Sequence, residues 1–186
     1  MNNNFTYISI PKTGSRTIIK VLDSYRNALT NHKPAFRIEL IGYSFTFFRD
    51  PVERIRSWFY SLSQDNPELF PTYGPDINAW IKKGCPHHWD WSVNPLYQWK
   101  FIEHQGKMII DCAYDFSNMQ ETLPKLCEEK LGFTVSELPR IGQTMIKERG
   151  DLKPSSIKKL REMFPKDFEL YEQIKQDGYI RKHTAG

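Results

Sequence analysis

Between Phe5 and Leu22 the hydrophobic rhythm of the chain switches within a few residues, and that switch limits what the chain can fold into. Phe5-Thr-Tyr-Ile-Ser-Ile10 is rich in β-branched and aromatic residues and reads as a buried strand. Pro11 ends it, because proline cannot donate to a ladder and restricts the residue before it. From about Ser15 the pattern turns helical, with Ile18, Ile19 and Leu22, and Val21 at the margin, supplying the apolar positions. A strand, a tight loop and a helix N-terminus gather backbone N–H groups and the positive end of the helix dipole at one point, which makes an anion cradle. Lys12 and Arg16 add positive charge; Thr13, Ser15 and Thr17 add hydroxyls; Gly14 supplies the turn. The expectation is a phosphate or sulfate site over Pro11-Lys-Thr-Gly-Ser-Arg-Thr17. The same residues also fit a plain β-turn entering a helix capped by Ser15 or Thr13. An ATP or GTP P-loop is disfavoured, since Gly-x-x-x-x-Gly-Lys-Ser/Thr is missing and Lys12 precedes the lone Gly14.

Composition narrows the partner. A net charge of +4 suits an anionic ligand without singling out nucleic acid, and no nucleic-acid partner is expected. At 186 residues the chain reads as one domain with a full core. Cys85, Cys112 and Cys127 are far apart and form no CxxC, which disfavours a disulfide framework or structural zinc and fits reduced thiols. The opening Met-Asn-Asn-Asn has neither a basic nor an apolar leader segment, and no apolar run approaches the ~20 residues that span a bilayer. A cytoplasmic protein without a membrane partner is expected.

Beyond the first helix, which should fade near residues 27–29, His32 falls in a loop, and Pro34 suits the start of a short helix over residues 34 to 40 or 41, stopped by Gly42. Tyr43-Ser-Phe-Thr-Phe-Phe48 is a second buried strand. It runs into Arg49, then a helix with Asp50 as N-cap and Pro51 in the first turn, its apolar face formed by Val52, Ile55, Trp58, Phe59 and Leu62. Arg49 stands at the carboxyl end of a strand, where open α/β sheets hold ligands, and Ser57 lies two turns into the helix. Singly, Arg49 also fits an ion pair with Asp50 or Glu53, and Ser57 a solvated helix position. Lys12 and Arg49 serve one site only if their two strands are neighbours. Residues 107–112 read as a third strand, followed by helices over 119–130, ended by Gly132, and over 154–163 and 166–176, with 177–186 expected to fray.

Strand-PKTGSRT-helix followed by strand-RDPVERIRSWF resembles the sulfotransferases that use 3'-phosphoadenosine 5'-phosphosulfate (PAPS), in particular their carbohydrate branch, the heparan 2-O-sulfotransferase-like and bacterial proteins. The resemblance covers most of residues 5–176 and is poorest across 66–94. It implies an α/β, P-loop-like three-layer fold with a short central parallel sheet flanked by helices, and no metal. It implies that Lys12 contacts the 5'-phosphate and the bridging oxygen, that Thr13, Gly14, Ser15, Arg16 and Thr17 hold the 5'-phosphate, and that Arg49 and Ser57, in a motif with a second arginine, hold the 3'-phosphate. His32 is the implied general base, with Glu39 and Glu53 as competitors. Residues 66–106 read as an acceptor-side insertion for a hydroxyl-bearing small molecule or glycan. There Trp89, Trp91 and His88 are candidate contacts, whereas Trp80 and Trp99 read as core residues. Cys85, His87 and His88 lack a fourth zinc ligand. Lys147 and Arg149 read first as a solvated charged loop, with a further contact to the 3'-phosphate as the alternative that the resemblance implies. Two other readings stay open: a relative that binds the nucleotide without transferring, and a P-loop-like nucleotide kinase or phosphotransferase.

Overall fold

The computed structural model describes residues 4–23, 28–30, 32–65, 67, 76–87, 93–135, 137–139 and 150–182. Strand β1 (Phe5–Ile8) leads into helix α1 (Ser15–Leu22), and β2 (Ala28–Thr30) follows. Then come β3 (Tyr43–Phe48), α2 (Pro51–Asp65), α3 (Ile77–Lys82), the short β4 (Glu103–His104) and β5 (Lys107–Met108), and β6 (Cys112–Asp115). The chain closes with α4 (Met119–Leu126), which runs into a wider π turn over Cys127–Leu131, then α5 (Pro154–Met163), α6 (Pro165–Asp177) and β7 (Tyr179–Arg181).

The main sheet has the order β2-β1-β3-β6-β7. β1 pairs in parallel with both β2 and β3, and β3 pairs in parallel with β6. Only β7 runs antiparallel, on β6. Side chains alternate across it with the two-residue period of a strand. Phe5, Tyr7, Phe45 and Phe47 face Ile18 and Leu22 of α1 and Leu123 and Leu126 of α4. Ile8, Phe48 and Ala113 face the opposite way, toward Phe101, Ile102 and Tyr171 and Ile174 of α6. Both faces are therefore covered, which is why β1 and β3 read as nearly unbroken apolar runs. A separate helical cluster joins α2, α3, α5 and α6 through Trp58, Phe59, Trp80, Leu160 and Phe168. The fold is mixed α/β: a small, mainly parallel sheet flanked by helices.

Several expected boundaries move, each for a tertiary reason. α1 ends at Leu22, and Ala28–Thr30 is strand, in register with Thr6, Tyr7 and Ile8. The helix expected from Pro34 is a single 3₁₀ turn, Ala35–Arg37, after which Ile38 is extended. Thr6 captures the segment instead: its hydroxyl donates to Ile41 O (3.0 Å) and accepts from Ile41 N (2.8 Å). Gly42 has φ +58 and lies so close to Asn4 that a β-carbon would fall 1.8 Å from the Asn4 carbonyl oxygen. The expected third strand divides. Lys107–Met108 belongs to a hairpin with Glu103–His104, turned by Gln105 and Gly106 at φ 50 and 76, and the sheet strand starts at Cys112. The Asp111 carboxylate, accepting from Ser44 N (2.8 Å) and Oγ (2.7 Å), fixes that entry point. Residues 179–181 are not frayed: Gly178 (φ 79) turns the chain back and Tyr179–Arg181 pairs with Cys112, Ala113 and Tyr114. Trp80 is buried as expected, whereas Trp99 is only half-buried, with the Lys100 and Lys166 ammonium groups over its ring.

Candidate functional site

Four parallel strands end on one edge of the sheet, and each hands the chain to a residue of interest. β1 runs into the loop holding Lys12, β2 reaches His32 two residues after its end, β3 is followed directly by Arg49, and β6 by Phe116. β1 and β3 are neighbours, with Tyr7 opposite Phe45, so Lys12 and Arg49 emerge side by side. β1 and β2 are also neighbours, with Ile8 opposite Thr30, and this pairing carries His32 back to the loop.

The loop is shaped from inside. Thr13 and Ser15 both donate their hydroxyls to Ile10 O, at 2.8 and 2.7 Å. A hydroxyl has one proton, so these two groups form the turn and do not add outward donors as the sequence suggested. Neither caps the helix. The N-cap is Gly14, at φ 75, with no side-chain cap bond, and the helix ladder begins with Ile18 N donating to Gly14 O (3.2 Å). Lys12 also has a left-handed backbone, φ 67. A β-carbon on Gly14 would fall 2.6 Å from the Phe116 ring, so steric room and backbone angle both require glycine. Arg16 is exposed and Thr17 buried.

The Arg49 guanidinium donates from Nη1 to Lys12 O (3.2 Å) and lies 5.0 Å from the centroid of the Phe116 ring. Its two suggested acidic partners have other roles: Asp50 accepts from Glu53 N (2.9 Å) at the start of α2, and Glu53 pairs with Arg56 (2.9 Å). The Arg49 backbone is held at both ends by Gln98, whose Oε1 accepts from Arg49 N (3.0 Å) while Nε2 donates to Arg49 O (2.8 Å). Arg54, the first arginine of α2, is fully buried and directs its donors at carbonyls: Nε to Pro11 O (2.9 Å), Nη1 to Leu96 O (2.8 Å) and Nη2 to Pro95 O. It braces the loop from behind. Ser57, three residues further along α2, is buried.

His32 adopts φ 55 and brings Nδ1 to 2.9 Å from the Ser9 carbonyl and 3.0 Å from the Ser9 hydroxyl. A carbonyl only accepts, so Nδ1 carries the proton, and in the neutral ring the lone pair is on Nε2. Burial lowers the His32 pKa below the ordinary histidine value; the nearby Arg54 and Lys12 charges act in the same direction, and the bond to Ser9 opposes them. The imidazole is therefore a neutral proton acceptor at pH 7.

Trp89, Trp91, His88, Lys147 and Arg149 lie outside the described residues. Cys85 is buried, and burial pushes its thiol up to about 12. Among the described residues no group of His, Cys, Asp and Glu is placed to hold a metal ion, and no helix is long and apolar enough to cross a membrane. At the other end of the strands a cleft of about 350 Å³ is lined by Tyr43, Asp111, Lys130, Arg181 and Lys182.

Sequence reasoning missed Ser9, Gln98 and Phe116, and it gave the second arginine of its motif no role of its own. Phe116 carried a usable signal, since it directly follows a strand. Gln98 carried none. The chain matches no protein-family model, no curated protein and no solved structure.

Proposed function

We propose that the protein is a sulfotransferase that moves a sulfuryl group from PAPS to a hydroxyl, with a carbohydrate as the acceptor class. The observation that carries this reading is the meeting of Lys12 and Arg49 on neighbouring strand ends, beside a helix with no side-chain cap and a neutral histidine. A nucleotide with phosphates at both ends of its ribose calls for a cation at each, and Lys12 and Arg49 are the two candidates. The Lys12 ammonium, a compact point charge, suits the bridging oxygen on which negative charge grows. The loop's N–H groups suit the 5'-phosphate oxygens. The planar Arg49 fork suits the 3'-phosphate, and Phe116 limits where that fork can lie. Ser57 is the second candidate for that phosphate.

The reaction forms a bond from acceptor oxygen to sulfur as the bond from sulfur to the bridging oxygen breaks. Lys12 offsets the charge left on the departing phosphate, and His32 Nε2 takes the acceptor proton. Each part is a residue of this chain, and the scheme requires no metal.

Ligand-dependent thermal stabilisation tests the donor. Adenosine 3',5'-bisphosphate at about one hundred times its dissociation constant should raise Tm by about 5 °C or more. AMP and ATP at the same concentration should do much less. Equal or greater stabilisation by ATP overturns the reading.

A further inference from the structure

We propose that Gln98 is a specificity-setting positioning residue: by clamping the Arg49 backbone it fixes the reach of that guanidinium, and so selects a nucleotide with a second phosphate over a monophosphate. The inference rests on the function proposed above.

Arg49 is the first residue beyond β3, where ladder hydrogen bonds give out. A residue in that position normally takes up the slack of a loop. Here one buried side chain acts as a neighbouring strand, accepting from Arg49 N and donating to Arg49 O. Because Arg49 N can only donate, the amide orientation is determined: Oε1 faces Arg49 N and Nε2 faces Arg49 O. Gln98 is itself held: its N donates to Asp167 Oδ2 and the next N–H, of Trp99, donates to Asp167 Oδ1, both at 2.9 Å. The carbonyls of Pro95 and Leu96 are gripped by Arg54, whose remaining arm holds Pro11 O, next to Lys12. A closed path therefore runs from Arg49 through Gln98, residues 95 and 96, and Arg54 to the anion loop. It sets the spacing of the two cationic sites. The Lys12 carbonyl at 3.2 Å and the Phe116 ring aim the guanidinium but do not fix its Cα. A clamp on the backbone changes where the charge sits and leaves the loop's own contacts intact.

The test compares adenosine 3',5'-bisphosphate with AMP by isothermal titration on the full chain, in wild type, Gln98→Met and Gln98→Glu. Methionine keeps the bulk of the side chain and removes both bonds; glutamate keeps the acceptor and loses the donor. Gln98→Met should weaken bisphosphate binding about tenfold while AMP affinity stays within about twofold. Gln98→Glu should shift the same ratio in the same direction, which keeps the test available if the methionine variant does not fold. In an Arg49→Ala background neither change should alter the ratio further, since Gln98 acts only through Arg49. Equal losses for both nucleotides, or an unchanged ratio, overturn the proposal. A wild type that binds AMP as well as the bisphosphate overturns the two-phosphate reading itself, and is seen before any variant is made.

Discussion

His32 owes its chemistry to two features at the scale of a single residue, a backbone at φ 55 and a ring nitrogen pinned to the Ser9 carbonyl. The bond fixes the tautomer, and burial beside two cations disfavours the imidazolium. A histidine pKa depressed by folding has a definite linkage sign. The folded state binds the proton less readily than the unfolded one, so stability tied to this ring is present above the ordinary histidine value and is lost as pH falls below it. On the proposed function, the rate follows the same titration. The rate of sulfuryl transfer should be level above about pH 7, with its acid limb below about 6.5, the ordinary histidine value. His32→Ala should reduce the rate about 10²–10⁴-fold and leave bisphosphate affinity within about twofold. Steady-state rates across pH, with titration of the variant, check both. An acid limb above pH 7, or a variant as fast as wild type, removes His32 from the reaction.

At the scale of elements, what the sequence disclosed depended on length and local pattern. β1 and β3 are apolar runs bounded by proline and arginine, and their exits into helices were readable, so Lys12 and Arg49 could be placed at strand ends. β2 and β7 were not readable. Each has three residues, too few to show a period, and each exists because a longer strand offers it a ladder. His32 was visible as a candidate, yet its return to the loop depends on β2. The bracing residues were hidden for a different reason. Gln98 lies 49 positions from Arg49, and Arg54 lies 43 from Pro11, so no local pattern marks either contact. The β7 strand gives this scale its prediction. A chain ending at Gly178 loses the antiparallel partner of β6, the cover that Ile180 gives to its cluster and the contact of the Tyr179 ring with Tyr114. Exposing that surface should remove about 2 kcal/mol and lower Tm by about 5 °C. Calorimetry on the shortened chain checks it, and an unchanged Tm would return these residues to the status of a loose tail.

Across the whole molecule, two buried ionisable side chains join the segments around the candidate site. Arg54, from α2, and Asp167, from the first turn of α6, are each 1% exposed, and together they hold the loop at Pro11, the segment at residues 95 and 96 and the backbone at Gln98 and Trp99. The Asp167 carboxyl is raised to about 6, because burial outweighs the attraction of Arg54 and the two N–H bonds, while Glu103 adds like charge. A raised carboxyl pKa has the opposite linkage sign to an ordinary ion-paired aspartate. The folded state holds the proton more tightly than the unfolded one, so stability from this group is fullest in acid and falls as pH rises through about 6. Asp167→Asn removes that dependence, since the amide does not titrate. At neutral pH the variant should still lose about 1–3 kcal/mol, because the amide keeps a single acceptor oxygen and leaves one of the two N–H donors, of Gln98 or Trp99, without a partner. The stability advantage of wild type over the variant should therefore be larger at about pH 4.5 than at pH 7. Denaturant titrations of both proteins at the two pH values measure it. An advantage that grows with pH would mean that the Arg54 charge, and not burial, controls this carboxyl.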